Sequence, residues 1–224
     1  MADPEFAFAR QSLATMNLGR FLTHAAARKP DHPAIIFRDQ TISYGALNAR
    51  TDALAHALVA LGIGPKDRVL IHSNNHPDMV AAIYAIWKTG AVIVPTNFRA
   101  APDDIVKMAH AAGASAFIGN EAFGDHLAAM ESDGCCAAAT LTINGSLDAA
   151  IAGHAGDGPF QDAAVLRDDP AWFFFTSGTT GFPKCAVLTH GQMGFVLNNH
   201  VADLMPGLSA RDASLVIAPL SHGA

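Results

Sequence analysis

The chain has 224 residues, with 14 Lys and Arg against 20 Asp and Glu, and a formal net charge of −6. Half of its residues are hydrophobic, 15% are charged and the mean hydropathy is +0.23, which excludes a disordered chain and supplies a large core. The acidic balance argues against a nucleic-acid binder, because a phosphate backbone asks for a basic face and none is visible.

The length suits one large domain or two small ones. No apolar run approaches the ~20 residues that span a bilayer, and the longest, Val80 to Trp87, is interrupted at Lys88. Three cysteines (Cys135, Cys136, Cys185) cannot form a disulfide framework, so a reducing cytoplasm is expected. Residues 1–15 lack the basic start and apolar centre of a signal peptide. They read as an appended leader, with Met16 a candidate natural start, and they carry none of the functional argument.

From Leu18 onward helical stripes alternate with short apolar runs. Leu47, Thr51, Leu54, Leu58 and Leu61 share one helix face, with Ser43 as N-cap and Gly62 as the stop. Asp67 to His72 reads as a compact strand. Asn75-His-Pro-Asp then opens a second helix with Pro77 in its first turn, ending at Gly90. Ala91 to Val94 is the next buried strand. Ala101-Pro-Asp-Asp opens a third helix that ends near Gly113, followed by a strand from Ser115 to Ile118. A weaker helix from Glu121 to Met130 and a strand from Ala138 to Ile143 continue the pattern. Apolar, non-alternating strands between helices predict a doubly wound α/β fold, with mainly parallel strands covered on both faces.

The loop-like stretch Ala152 to Asp162 predicts a boundary between a first α/β subdomain (16–151) and the start of a second (163–224). Beyond it the pattern predicts strands Ala171 to Phe175 and Cys185 to Leu188, a helix from His190 to about Leu204, and a strand Ala213 to Ile217.

The chemistry is concentrated in Trp172-Phe-Phe-Phe-Thr-Ser-Gly-Thr-Thr-Gly-Phe-Pro-Lys184. An aromatic strand gives way to four hydroxyl residues (Thr176, Ser177, Thr179, Thr180), two glycines (Gly178, Gly181) and Lys184. Glycines allow successive backbone N–H groups to face one concavity, hydroxyls add uncharged donors, and lysine adds a mobile point charge. Together they describe a polyphosphate cradle. A Ser/Thr-rich hairpin turn is the plain alternative, and it seldom gathers so many anion-binding parts. A Walker-type loop fails on spacing, since Phe182-Pro183 separates Gly181 from Lys184 and Cys185 follows.

Thr176-Ser-Gly-Thr-Thr-Gly-Phe-Pro-Lys184, followed by Leu188-Thr-His190, resembles the signature of the AMP-forming adenylating enzymes, which include the acyl-CoA synthetases. Ile42 to Arg50, Ile86 to Pro95 and Ala218-Pro-Leu-Ser-His222 resemble further motifs of that superfamily in the same order. The resemblance implies an acid–CoA ligase that activates a small-molecule carboxylic acid with ATP and Mg²⁺ and passes the acyl group to coenzyme A. It also implies that Thr176, Ser177, Gly178, Thr179, Thr180, Gly181 and Lys184 hold the triphosphate, with Thr176 and Lys184 catalytic. His222 would stand beside the acyl pocket. No metal ligand is assigned, and a homo-oligomer is left open. An adenylating enzyme that loads a carrier protein, and a non-catalytic nucleotide- or polyphosphate-binding module, are the alternatives.

Two positions depart from the pattern: Cys185 stands where glycine usually follows the lysine, and Ser221 replaces an aromatic before His222. The Mg²⁺-placing motif, the ribose-binding Asp, the hinge and the small domain with a catalytic lysine do not occur in these residues, so the 224 residues alone are expected to be inactive. Other features read blandly. His72 and His76 lie four apart without partner ligands, Cys135-Cys136 reads as two free thiols in a loop, Cys185 as a small buried side chain, and Trp87 as core.

Overall fold

The computed structural model describes residues 15–176 and 184–221. A short helix α1 (Arg20–Arg28) precedes an antiparallel hairpin, β1 (Pro33–Phe37) and β2 (Gln40–Ser43), which leads into α2 (Tyr44–Ala60). There follow β3 (Arg68–His72), α3 (Pro77–Lys88), β4 (Val92–Pro95), α4 (Pro102–Ala112) and β5 (Ala116–Asn120). A 3₁₀ turn (Glu121–Phe123), α5 (Gly124–Asp133), β6 (Ala139–Ile143), α6 (Ser146–Gly153), β7 (Pro170–Thr176), β8 (Lys184–Thr189) and α7 (His190–Asn199) complete the order.

The sequence punctuation accounts for the helix ends. The Ser43 hydroxyl accepts from the Ala46 N–H at 3.2 Å, and Gly62 takes φ 86° after α2. Pro77 and Pro102 open α3 and α4, where their missing N–H costs nothing, and Gly113 in the left-handed region closes α4.

Six strands form one sheet in the order β6-β5-β3-β4-β7-β8, parallel except for the β7–β8 pair. Alternate residues of each strand feed opposite cores. Val69, Ile71, Ile93, Ala116 and Ile118 pack with Leu54 and Leu58 of α2, Met79 and Ile86 of α3, and Leu147 and Ile151 of α6. Leu70, Val94 and Phe117 point the other way, onto Ile105 and Ala109 of α4 and Met130 of α5. Both faces of the parallel strands are therefore covered by helices, as the sequence predicts.

The structure also departs from the sequence reading. The β1–β2 hairpin, α1 and α6 are additional elements. β8 returns antiparallel to β7, in register from Thr176↔Lys184 to Trp172↔Leu188. The predicted helix 190–204 is α-helical only to Asn199 and finishes as a π turn, His200–Leu204. The predicted strand 213–217 does not form: these residues have no ladder partner among the described residues, and Leu215 and Ile217 are each 83% exposed. Apolar character alone cannot make a strand where no neighbouring strand offers hydrogen bonds.

Lys88 is fully buried at the end of α3. Its ammonium donates to Asp52 Oδ1 at 2.5 Å and Asn48 Oδ1 at 2.9 Å, both on α2, and lies 3.8 Å from Asp162. The Lys88 carbonyl accepts from the Ala163 N–H at 2.7 Å, fastening the incoming connection to β7. Trp87 is core, as read, and its indole N–H donates to the Ala171 carbonyl of β7 at 3.0 Å. Removing one partner of such a pair strands an opposite charge in the interior. Lys88→Ala should therefore cost about 3–5 kcal/mol in urea unfolding. Asp52→Ala should cost a similar amount, and the double variant less than the sum. A Lys88→Ala penalty below about 1 kcal/mol, the range of an exposed pair, would show that the amine does not depend on these partners.

Candidate active site

β7 runs parallel to β4, so Thr176 ends at the carboxyl edge of the parallel strands, the edge that also carries His72, Thr96 and Asn120. Lys184 opens β8 directly opposite, and the Thr176 hydroxyl donates to the Lys184 carbonyl at 3.3 Å. The hairpin thus brings together the first and last residues of the predicted phosphate cradle, both exposed. Ser177, Gly178, Thr179, Thr180 and Gly181 lie outside the described residues, as does His222.

The segment just before His222 is tied to the same edge. Asn75, three residues past the end of β3, donates to the Ala218 carbonyl at 3.0 Å and accepts from the Leu220 N–H at 2.8 Å. Ser221 is buried, and its hydroxyl has no partner among the described residues. The sequence does not disclose this role of Asn75, which reads there only as part of the helix start Asn75-His-Pro-Asp.

The loop ends into β8 and α7 are firmly built. Thr189 caps α7 by accepting from the Gln192 N–H, while the Gln192 side chain accepts from the Thr189 N–H. His190 is fully buried, and its Nδ1 accepts from the Leu18 N–H at 3.3 Å. Cys185 is exposed, which corrects the expectation of a buried side chain. Partial desolvation of its thiol raises the pKa above the usual value.

The connections from β3 and β4 leave for opposite faces, α3 joining one core and α4 the other, so the crevice between these strands is a topological switch point. His72 and Thr96 close it. The Thr96 hydroxyl donates to the Ile71 carbonyl at 3.0 Å, so its oxygen must accept from His72 Nδ1–H, 2.7 Å away. His72 Nε2 is left buried and without a partner among the described residues. The ring stacks on His126 at 4.3 Å between centroids and meets the edge of Phe123. His76 instead caps α3 by accepting from the Asp78 N–H. Among the described residues neither His72 nor His76 belongs to a group of three metal-ligating side chains.

A cavity of about 590 Å³ opens beside the β1–β2 hairpin and includes Arg38, Arg50, His76 and Asn144 in its lining. It contains neither Thr176 nor Lys184, and the Arg50 charge is already shared by Asp78 and Asp148.

The AMP-binding enzyme family model matches residues 22–224. The chain belongs to that family. A feruloyl-CoA synthase of Amycolatopsis sp. is 32% identical over 95% of this chain, and an indoleacetate–CoA ligase of Aromatoleum aromaticum is 31% identical over 92%. The chain spans 41% of the length of each of these relatives. Its fold superposes on the o-succinylbenzoate–CoA synthetase of Bacillus subtilis, solved with its acyl-adenylate intermediate. The TM-score is 0.76 and the identity 25%, over 90% of this chain and 50% of that one. The AMP-binding family fold thus accounts for the parallel sheet, the helices on both faces and the hairpin at its carboxyl edge. No helix among the described residues is long and apolar enough to cross a membrane.

Two buried histidines, His72 at the carboxyl edge and His190 beside the start of β7 at the other end of the strands, set a pH dependence. Burial lowers His72 and His190 from 6.5 to about 4, the former aided by the nearby His126 and the latter opposed by Asp169. Both are neutral in the folded protein. As pH falls from 6.5 towards 4, the unfolded chain takes up protons that the folded chain refuses. Stability should be full above pH 6.5 and decline through that window. Urea midpoints measured from pH 7.5 to 4.5 test this. His72→Asn with His190→Asn, which keeps a polar group near each Nδ1 position, should flatten the slope; an unchanged slope would assign the acid sensitivity elsewhere.

Proposed function

We propose that this chain supplies the triphosphate-binding portion of an AMP-forming acid–CoA ligase. The observation that carries the reading is the Thr176–Lys184 hairpin at the carboxyl edge of a parallel sheet in a chain that matches the AMP-binding family. A carboxylate is a poor acylating agent because its oxygen leaves badly. Attack of that oxygen on the α-phosphate of ATP, with pyrophosphate leaving, makes the acyl-adenylate, whose AMP a thiol can then displace. Carboxylate and triphosphate repel one another, so a site for this step must spread negative charge over N–H groups, hydroxyls and cations.

In this reading Thr176, Ser177, Gly178, Thr179, Thr180 and Gly181 hold the β- and γ-phosphates, and Lys184 neutralises charge on the departing pyrophosphate. Residues 176–189 contain no Asp or Glu, so Mg²⁺ at this loop would be held by triphosphate oxygens, with only neutral hydroxyl and carbonyl oxygens of the loop beside them. His222 helps to set the carboxylate end of the acid, carried on the segment that Asn75 holds. The small-molecule acid is of the acyl or aryl class, and coenzyme A is the acceptor. Three free cysteines support a reducing, cytoplasmic setting.

Acid-dependent ATP–pyrophosphate exchange by the native gene product is the test. Exchange with a free acid, followed by release of an acyl-CoA thioester, is the expected outcome. Transfer only to a carrier protein would replace coenzyme A as acceptor, and triphosphate binding without exchange for any acid would overturn the enzyme reading. Lys184→Ala should lower the exchange rate about 100-fold or more, the scale of losing one charge-stabilising donor. An unchanged rate would remove Lys184 from the phosphate site.

A further inference from the structure

The opposite, amino edge of the sheet gathers a second set of reactive side chains. His110 lies in the last turn of α4, Asp133 is the last residue of α5, and Cys135 follows two residues later. Both helices stop at left-handed glycines, Gly113 (φ 60°) and Gly134 (φ 71°), so the chain turns sharply there towards the starts of β5 and β6. This convergence places His110 Nε2 2.8 Å from Asp133 Oδ1. The imidazole nitrogen, the carboxylate oxygen and the Cys135 sulfur all lie within 4.8 Å of one another.

We propose that His110, Asp133 and Cys135 form a three-ligand site for a borderline-soft divalent cation of the Zn²⁺ class, with water completing a tetrahedron. Tetrahedral zinc holds such donors at about 2.0–2.3 Å, which sets them roughly 3.3–3.7 Å apart. The His110–Asp133 pair at 2.8 Å is slightly closer than that and no donor pair is more than 4.8 Å apart, so changes of about 1 Å or less in each separation reach tetrahedral geometry. A nitrogen, an oxygen and a sulfur donor select Zn²⁺ or Co²⁺ over the all-oxygen preference of Mg²⁺ and Ca²⁺. On binding, the Cys135 S–H bond breaks, its proton passes to solvent, and the sulfur lone pair goes to the metal. His110 is 61% and Asp133 32% exposed at the side chain, so the metal has an entry path and room for the water. Cys136 is excluded as a ligand because it is buried against Leu70, Phe117 and Met130 in the core under α4 and α5. The site stands at the end of the strands remote from Thr176 and Lys184, and it does not depend on the ligase reading.

Titration of the metal-free, tag-free chain with Co²⁺ tests the proposal. One Co²⁺ per chain should bind with a thiolate-to-cobalt charge-transfer band and the strong visible bands of tetrahedral cobalt, both erased by one equivalent of Zn²⁺. Cys135→Ser should abolish the charge-transfer band. His110→Gln and Asp133→Asn should each weaken binding at least tenfold, because even outer-shell partners of a metal are worth about 10–100-fold. Cys136→Ser and Cys185→Ser should leave the spectrum intact. Circular dichroism of each variant separates lost ligation from lost folding, and His110→Gln and Cys135→Ser alter different elements, so one misfolded variant does not spare the proposal. Absence of a charge-transfer band at stoichiometric cobalt, its survival in Cys135→Ser, or its loss in Cys185→Ser would each overturn it.

Discussion

The buried ammonium of Lys88 is the constraint on which the arrangement of this fold turns. A charge taken wholly out of water costs several kcal/mol unless opposite charge and hydrogen bonds replace its hydration. Asp52 and Asn48 provide that replacement, and both sit on α2, so α3 can dock in only one register against its neighbour. Asp162 joins more weakly, at 3.8 Å and without a hydrogen bond at Oδ1. Burial raises its carboxyl above the usual range, with Lys88 and Arg20 opposing that rise. Because the next residue, Ala163, binds the Lys88 carbonyl, the same residue that fixes α3 also fixes where the chain re-enters the sheet as β7. The hairpin that bears Thr176 and Lys184 therefore inherits its position from a charge buried at the end of another helix.

The central α/β units were legible because glycine and proline mark their ends: Gly62, Pro77, Pro102 and Gly113 each stand where a helix starts or stops. The β1–β2 hairpin was not, since its turn uses Arg38 at φ 54° in place of the glycine that usually signals such a turn. α6 was hidden by its shortness and by an alanine-rich composition that ran into the following loop. The antiparallel return of β8 was available in the sequence and not used. Seven residues separate β7 from β8, too few for the crossover of about a dozen that a parallel return requires.

The strand expected at 213–217 fails for a different reason. Its residues are apolar enough for a buried strand, and Phe195, Val196 and Leu204 nearby in the chain are also more than 60% exposed. Patterning reports how much a segment gains from being covered and not whether a partner is present. Trp87 illustrates the converse: its burial was read from composition, while its bond to Ala171, which ties α3 to β7, was invisible until the sheet order was known.

The same distinction explains how the site could be read. The types of residue in the Thr176–Lys184 loop are what led the sequence reading to an anion-binding loop, because hydroxyls, glycines and a lysine have few other reasons to cluster. Their geometric value comes from the sheet. A helix after β7 would carry the lysine away from the strand end, whereas a hairpin returns it opposite Thr176. β7 is held on one side by β4, while β8 ends the sheet and leaves Lys184 through Val187 exposed. One strand of the hairpin thereby joins the parallel sheet at Trp172 and the other borders solvent, which sets the Thr176 hydroxyl beside an exposed lysine. Lysine also serves the edge itself, since a charged end discourages another strand from adding there. The residue proposed for the phosphate loop is thus also one that an edge strand tolerates.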